Sequence, residues 1–280
     1  MVTLALLVLP FLALAAAVAT FGPPSGRSIA TGLLIGWVSL HGIAIGYHRY
    51  LTHRSFETGR GTRAVLTVLG AASAQGGPLH WVATHRVHHR NTDTEKDPHS
   101  PLTAKGSLRG MLHAQFGWLM NPPDIDPRAI CPELVADPVI RRIDRLWPVI
   151  AVFSVALLPA GIGWIGGGVN GAVETLLWAG VVRMGLFHHI TWSVNSVGHL
   201  WGKRPFATKD GSRNVAFLAP LTCGEGWHNN HHAHPRAARH GMLPGQIDTA
   251  ARTIWVMEKL GLATKVRWPD ARTLQTVGRA

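Results

Sequence analysis

The sequence predicts an all-α membrane protein, with four transmembrane helices in two hairpins and a cytoplasmic helical cap that carries a histidine-rich site. Three observations predict it. The 280 residues are 46% hydrophobic and only 15% charged, a membrane balance rather than that of two soluble domains. The 27 Lys and Arg are segregated, with 13 between Arg49 and Arg145, 12 from Lys203 onward, and only Arg27 and Arg183 elsewhere. Finally, 17 histidines occur, most of them in four groups that fall in or beside those basic segments.

The first span covers about 2–20, an uncharged apolar run long enough to cross a bilayer. It has no basic residues ahead of it and a second apolar run directly after it, so it reads as a retained helix rather than a cleaved leader. The second covers about 28–47, after a short turn containing Pro23, Pro24 and Gly26. Spans at about 146–165 and 170–189 form another hairpin around Gly166-Gly167-Gly168. Cationic loops are retained in the cytoplasm, which places both termini and the segments 48–145 and 190–280 there, within one domain over 1–280. Between the hairpins, Arg63 to Gly77 is apolar but short and reads as interfacial, whereas 121–145 reads as an irregular loop leading into a helix. The stretch from Gln246 to Leu262 has apolar residues at roughly helical spacing, as expected of a helix packed on the cap.

The formal charge of +12 suits anionic lipid headgroups or an acidic protein partner. No nucleic-acid motif accompanies it, so nucleic acid is not an expected partner. Cys131 and Cys223 both fall in cytoplasmic segments, where a disulfide is not expected.

The histidine groups are His48-Arg-Tyr-Leu-Thr-His53, His85-Arg-Val-His88-His89, Asn195-Ser-Val-Gly-His199 and His228-Asn-Asn-His231-His232. Helical residues at i, i+3 and i+4 share a face, so each HxxHH triplet can present its imidazoles to one point. His48 and His53, at i and i+5, need the helix to end or bend between them. Nine imidazoles exceed what one ion takes and suit two. Imidazole serves Fe, Zn, Cu and Ni alike, so ligand type does not choose the metal. Glu225-Gly-Trp-His228 reads as an accidental Glu-x-x-His match, although Glu225 could orient an imidazole, as could Asp93 and Asp97. His41, His188 and His189 read as packing residues, and His80, His99, His113, His234 and His240 as solvated or hydrogen-bonded. Arg183 is expected to hold a headgroup or carboxyl or else to snorkel, and Trp81, Trp118, Trp192 and Trp227 to line an acyl tunnel or anchor at the interface.

From Gly46 to Pro269 the words around these groups, among them GYHRYLTHRSF, WVATHRVHHRNTDTEKDPHSP and GEGWHNNHHAHPRAARHG, resemble the membrane fatty-acid desaturases. The likeness is to the delta-9 type, which includes stearoyl-CoA desaturases and bacterial, cyanobacterial and plant acyl-lipid desaturases. That resemblance implies a di-iron site whose ligands are His48, His53, His85, His88, His89, His228, His231 and His232, with His199 as a ninth and Asn195 reaching metal through water. It also implies O2-dependent desaturation of a long-chain acyl group bound to CoA or glycerolipid. Electrons would come from ferredoxin or another reductase-linked carrier, and the setting would be a bacterial inner membrane. Where animal acyl-CoA desaturases carry an Arg-Asp pair that helps hold CoA, this chain has Ala83-Thr84, as in the plant and cyanobacterial form. A related histidine-rich hydroxylase is the first rival reading. A metal transporter is the second, disfavoured because the histidines sit at and beyond the ends of spans rather than at mid-membrane depth.

Overall fold

The computed structural model describes residues 2–104, 107–270 and 273–274, and its regular structure there is helical apart from isolated β-bridges. Nine helices carry the architecture: α1 (Val2–Phe21), α2 (Gly26–Thr52), α3 (Arg60–Ala71), α4 (Pro78–Asn91), α5 (Leu108–Gln115), α6 (Pro138–Trp164), α7 (168–200), α8 (His228–Ala233) and α9 (Thr249–Lys259). Short helical turns at Pro127–Ile130 and Pro132–Ala136 occupy the expected loop before α6.

Local chemistry sets the helix starts. Ser25 caps α2 by accepting from Ser28 N, Asp137 caps α6 by accepting from Val139 N and Ile140 N with Pro138 in the first turn, and Asp248 caps α9 through Ala251 N. Gly166 and Gly168 take positive φ at the α6–α7 turn, a conformation that costs glycine little. Among the described residues, α2 and α6 are long and apolar enough to cross a membrane, and Leu6–Phe21 is a shorter apolar helix. Leu12, Leu33, Leu34, Val149, Leu157 and Ile165 are all exposed on these helices and the turn after α6. Such a patch is unsuited to water and belongs against lipid tails or a partner.

The helices are not uniform. Gly42–Thr52, Phe153–Leu157 and 176–182 are π-helical, with turns widened to i→i+5. Arg183 reaches into two of these widened turns, donating from Nε to Ala179 O at 2.9 Å and from Nη2 to Ser154 O at 3.2 Å. It is buried, so it neither holds a headgroup nor snorkels. Freed backbone carbonyls inside the bundle satisfy it instead. α2 also lies hard against α3, where a Cβ at Gly46 would sit 2.4 Å from Leu66 O. That close approach fixes the end of α2 beneath the cap, where His48 and His53 emerge.

Candidate metal centre

The nine histidines of the four groups converge into two adjacent clusters. His48, His53, His85, His89 and His231 form one, His88, His199, His228 and His232 the other, and within each the ring nitrogens lie within 4.8 Å of one another. In the first, Nε2 atoms meet at 3.1 Å for His48–His231, 3.1 Å for His85–His89 and 2.9 Å for His89–His231. In the second, His199 and His228 approach at 2.9 Å and His88 and His232 at 3.4 Å. Roughly 3 Å is the separation of two imidazole nitrogens set at right angles about one ion with bonds of ~2.1 Å.

The triplets do not each point to one place. His85 and His89 enter the first cluster while His88 enters the second, and in α8 the assignment reverses, His231 joining the first and His228 with His232 the second. At 100° per residue, i+4 leads i by 40° and i+3 trails it by 60°, so each triplet straddles two points about 100° apart. The helix does end between His48 and His53, at Thr52, as their spacing requires. That segment is π-helical, His53 N donates to His48 O at 3.1 Å, and the ring centroids lie 4.7 Å apart. The i→i+5 turn that an α-helix lacks brings the two rings together edge to face. Asn195 stands one helical turn before His199 on α7 and borders the cavity described below.

Carboxylates hold the outer nitrogens. His88 Nδ1 donates to Asp97 at 2.9 Å, His199 Nδ1 to Asp93 at 3.1 Å and His232 Nδ1 to Asp210 at 3.1 Å, while Glu225 Oε2 lies 2.7 Å from His48 Nδ1. Asp93 and Asp97 were expected in this role, but Asp210 went unnoticed because it lies 22 residues from its partner. Glu225 is no accident of sequence. Half-buried at the cavity edge, it also accepts from Arg49 Nη2 at 3.1 Å and lies 3.1 Å from His240 Nδ1. His240 and His99 are correspondingly buried rather than solvated. Asn229 and Asn230, inside the fourth group, anchor the back of α8: Asn229 Oδ1 accepts from Phe206 N at 2.8 Å and Asn230 Nδ2 donates to His240 O at 2.7 Å.

These carboxylates bear on whether the site suits metal. With Nδ1–H donating to Asp97 and Asp210, both His88 and His232 carry their lone pair on Nε2, and those lone pairs face each other at 3.4 Å. Two bare lone pairs so placed repel, and a cation between them turns repulsion into ligation. Burial, followed by like-charged neighbours, holds His85, His89, His228, His231 and His232 well below the ordinary imidazole pKa, so they are neutral and able to ligate at pH 7. Burial raises the Asp97 carboxyl, but His88, His99 and the backbone N–H of Asp93 together outweigh it and the net shift is downward. Asp97→Asn, which keeps shape and loses charge, is expected to lower metal affinity 10- to 100-fold, measurable by competition with a chelator of known affinity.

A cavity of about 280 Å³ opens beside the clusters, bordered by His48, His85, His228 and Asn195 and walled by Ile43, Trp81, Trp118, Trp147 and Trp192. Trp227 is not part of it and instead donates Nε1–H to Ile247 O at 2.8 Å. Ala83 is buried in the core and Thr84 is buried at the cavity wall, so neither lies on the surface where a carrier headgroup would rest.

The sequence profile described as Fatty acid desaturase matches residues 27–244. The chain belongs to this family. It is therefore an oxidoreductase, and the two histidine clusters are consistent with the metal site typical of this membrane desaturase family. Its relatives include the hex-5-enoyl-[acyl-carrier protein] acetylenase of Moorena producens, 42% identical over 89% of this chain and 80% of that one. The sn-1 stearoyl-lipid 9-desaturase of Anabaena variabilis is 35% identical over 89% and 87%. The acyl-CoA C20 Delta5-desaturase of Anemone leveillei is 40% identical over 82% and 70%.

Proposed function

We propose that this desaturase inserts a delta-9 double bond into a long-chain fatty acyl group carried on CoA or glycerolipid, at a di-iron centre. The observation that carries the reading is the pair of imidazole clusters set against an apolar cavity. His48, His53, His85, His89 and His231 would hold one iron and His88, His199, His228 and His232 the other, with Asn195 reaching the second through water. A bound iron pair supplies the dioxygen chemistry that removes hydrogen from unactivated methylenes, which acid–base side chains cannot do. In balance, one O2, two electrons, two protons and two substrate hydrogens leave as two waters, and the substrate gains one alkene.

The chain's own contribution is placement. Ile43, Trp81, Trp118, Trp147 and Trp192 exclude water and hold an extended acyl chain in register with the imidazoles that border the cavity. Asp93, Asp97, Asp210 and Glu225 keep the ligand tautomers fixed. The delta-9 position is supported by the Anabaena relative and by the sn-2 palmitoyl-lipid 9-desaturase of Nostoc, 35% identical over 80% of this chain. For topology we propose spans by α1, α2, α6 and the first part of α7 in a bacterial inner membrane, with the cap and both termini in the cytoplasm. The exposed apolar residues of both hairpins and the segregation of Lys and Arg support it.

Expression in a host lacking unsaturated fatty acids, followed by lipid-class separation and double-bond mapping, tests the reaction, the carrier and the position together. The expected result is a cis alkene between carbons 9 and 10, whereas a hydroxylated chain without alkene overturns the proposal in favour of the hydroxylase. Val194 borders the same cavity, and Val194→Phe narrows it. The variant is expected to shift product toward shorter chains with metal content unchanged, read by gas chromatography of the methyl esters.

A further inference from the structure

The carboxylates that hold the imidazoles are divided unequally between the two clusters. In the second, three of the four imidazoles have one each: His88 donates to Asp97 at 2.9 Å, His199 to Asp93 at 3.1 Å and His232 to Asp210 at 3.1 Å. Among the described residues, none of these three aspartates forms an ion pair with a Lys or Arg. Their remaining hydrogen bonds come from neutral donors. Asp93 accepts from Gly211 N at 2.6 Å and from the Ser100 hydroxyl, Asp97 from Asp93 N at 2.9 Å and His99 N at 3.1 Å, and Asp210 from Ser212 N at 3.0 Å and the Ser212 hydroxyl. Arg204 reaches only the backbone carbonyl of Asp210, at 2.6 Å. Neutral donors keep a carboxylate ionised without cancelling its charge.

The first cluster is held differently. Among the described residues, only His48 of its five imidazoles meets a carboxylate, Glu225 at 2.7 Å. Glu225 in turn faces the fully buried guanidinium of Arg49, 3.1 Å from Nη2, and Arg49 Nη1 lies 3.0 Å from Asp248. Two carboxylates and one guanidinium leave one net negative charge behind the first cluster, while three carboxylates stand behind the second.

We infer that this division makes the two sites unequal: the four-imidazole cluster takes its metal ion more tightly, and of two bound irons the one held there gives up an electron first. The inference rests on the proposed two-iron reading of the clusters. Negative charge one imidazole away attracts a divalent ion in a buried site, and attracts it more strongly once the ion is trivalent. Net charge and hydrogen bonding around the ligands likewise set the potential of a protein-bound iron. The fifth imidazole favours the first cluster, but it is neutral, and four ligands already complete a tetrahedral set. Each outer carboxylate changes metal affinity about 10- to 100-fold, so the surplus of carboxylates outweighs one neutral ligand.

Titration of the metal-free full-length protein in detergent with Co2+, followed by absorbance and calorimetry, tests the difference in affinity. Two binding steps are expected, with Kd values about 100-fold apart. Replacing one imidazole in each cluster assigns them: His53→Ala is expected to weaken only the weaker step and His199→Ala only the tighter. Asp210→Asn, which leaves every imidazole in place, is expected to weaken the tighter step about 10- to 100-fold and to spare the other. For the valence difference, one equivalent of ferrous iron-57 is added before one of natural ferrous iron, and ferricyanide without O2 then removes one electron per pair. Mössbauer spectroscopy, which detects iron-57 alone, is expected to find it ferric. Equal affinities, a tighter step that His199→Ala leaves intact, or iron-57 that stays ferrous each overturns the inference. So does a tighter step unmoved in Asp210→Asn. If that variant does not fold, judged by circular dichroism, Asp93→Asn is measured in its place and the same result overturns the role of the carboxylates. A single Co2+ per chain at saturation is instead the failure of the two-iron reading, and takes the inference with it.

Discussion

Replacing His88 with alanine is expected to take unsaturated product to background and to reduce bound metal from about two ions per chain to about one. His88 faces His232 at 3.4 Å within a cluster of only four imidazoles, and its Nδ1 is tied to Asp97. Deleting it leaves three imidazoles there and a buried carboxylate without its partner, whereas the five-imidazole cluster loses nothing directly. Elemental analysis of the purified protein alongside fatty-acid analysis of the expression host checks both halves. Retained desaturation in His88→Ala sinks the ligand assignment.

The second large effect belongs to Glu225. Glu225→Ala is expected to destabilise the fold by about 3 kcal/mol, because the fully buried Arg49 then keeps only Asp248, at 3.0 Å, as a charge partner. Glu225→Gln separates this structural role from the metal role. It preserves volume and some hydrogen bonding, so it should unfold closer to the unaltered protein, yet the carboxylate beside His48 is gone and metal affinity should fall 10- to 100-fold. Denaturant unfolding in detergent gives the first quantity and chelator competition the second. Equal stability of Glu225→Ala and the unaltered protein would remove Glu225 from the supporting network.

Glu225 also marks where reading the sequence stopped short. The two HxxHH triplets were legible because their spacing is a local property, residues at i, i+3 and i+4 of a helix sharing a face wherever that helix sits, whereas His199 and Asn195 were named by the family resemblance alone. The helices were legible for a similar reason, since apolar runs and the segregation of Lys and Arg are sums along the chain, and helices stand at all four expected positions. α7 runs on as one helix to Leu200, past the expected span, and so holds Asn195 and His199 on a continuous helix.

What no spacing rule reveals is pairing between distant segments. Glu225 meets Arg49 across 176 residues, Asp93 meets His199 across 106, and Asp210 reaches His232 from a loop with no motif of its own. The division of the triplets between two clusters has the same origin. A helix offers two directions about 100° apart, and only the placement of α2 and α7 around α4 and α8 decides which direction meets which neighbours. The His48–His53 pair depends on tertiary packing as well, because a π-turn is costly in isolation and is held here where α2 presses its glycines against α3. The sequence by itself thus determined the family, the helices and the imidazoles. The tertiary structure decided which imidazoles act together and which carboxylates fix their lone pairs, because each of these depends on contacts between residues that share no local period.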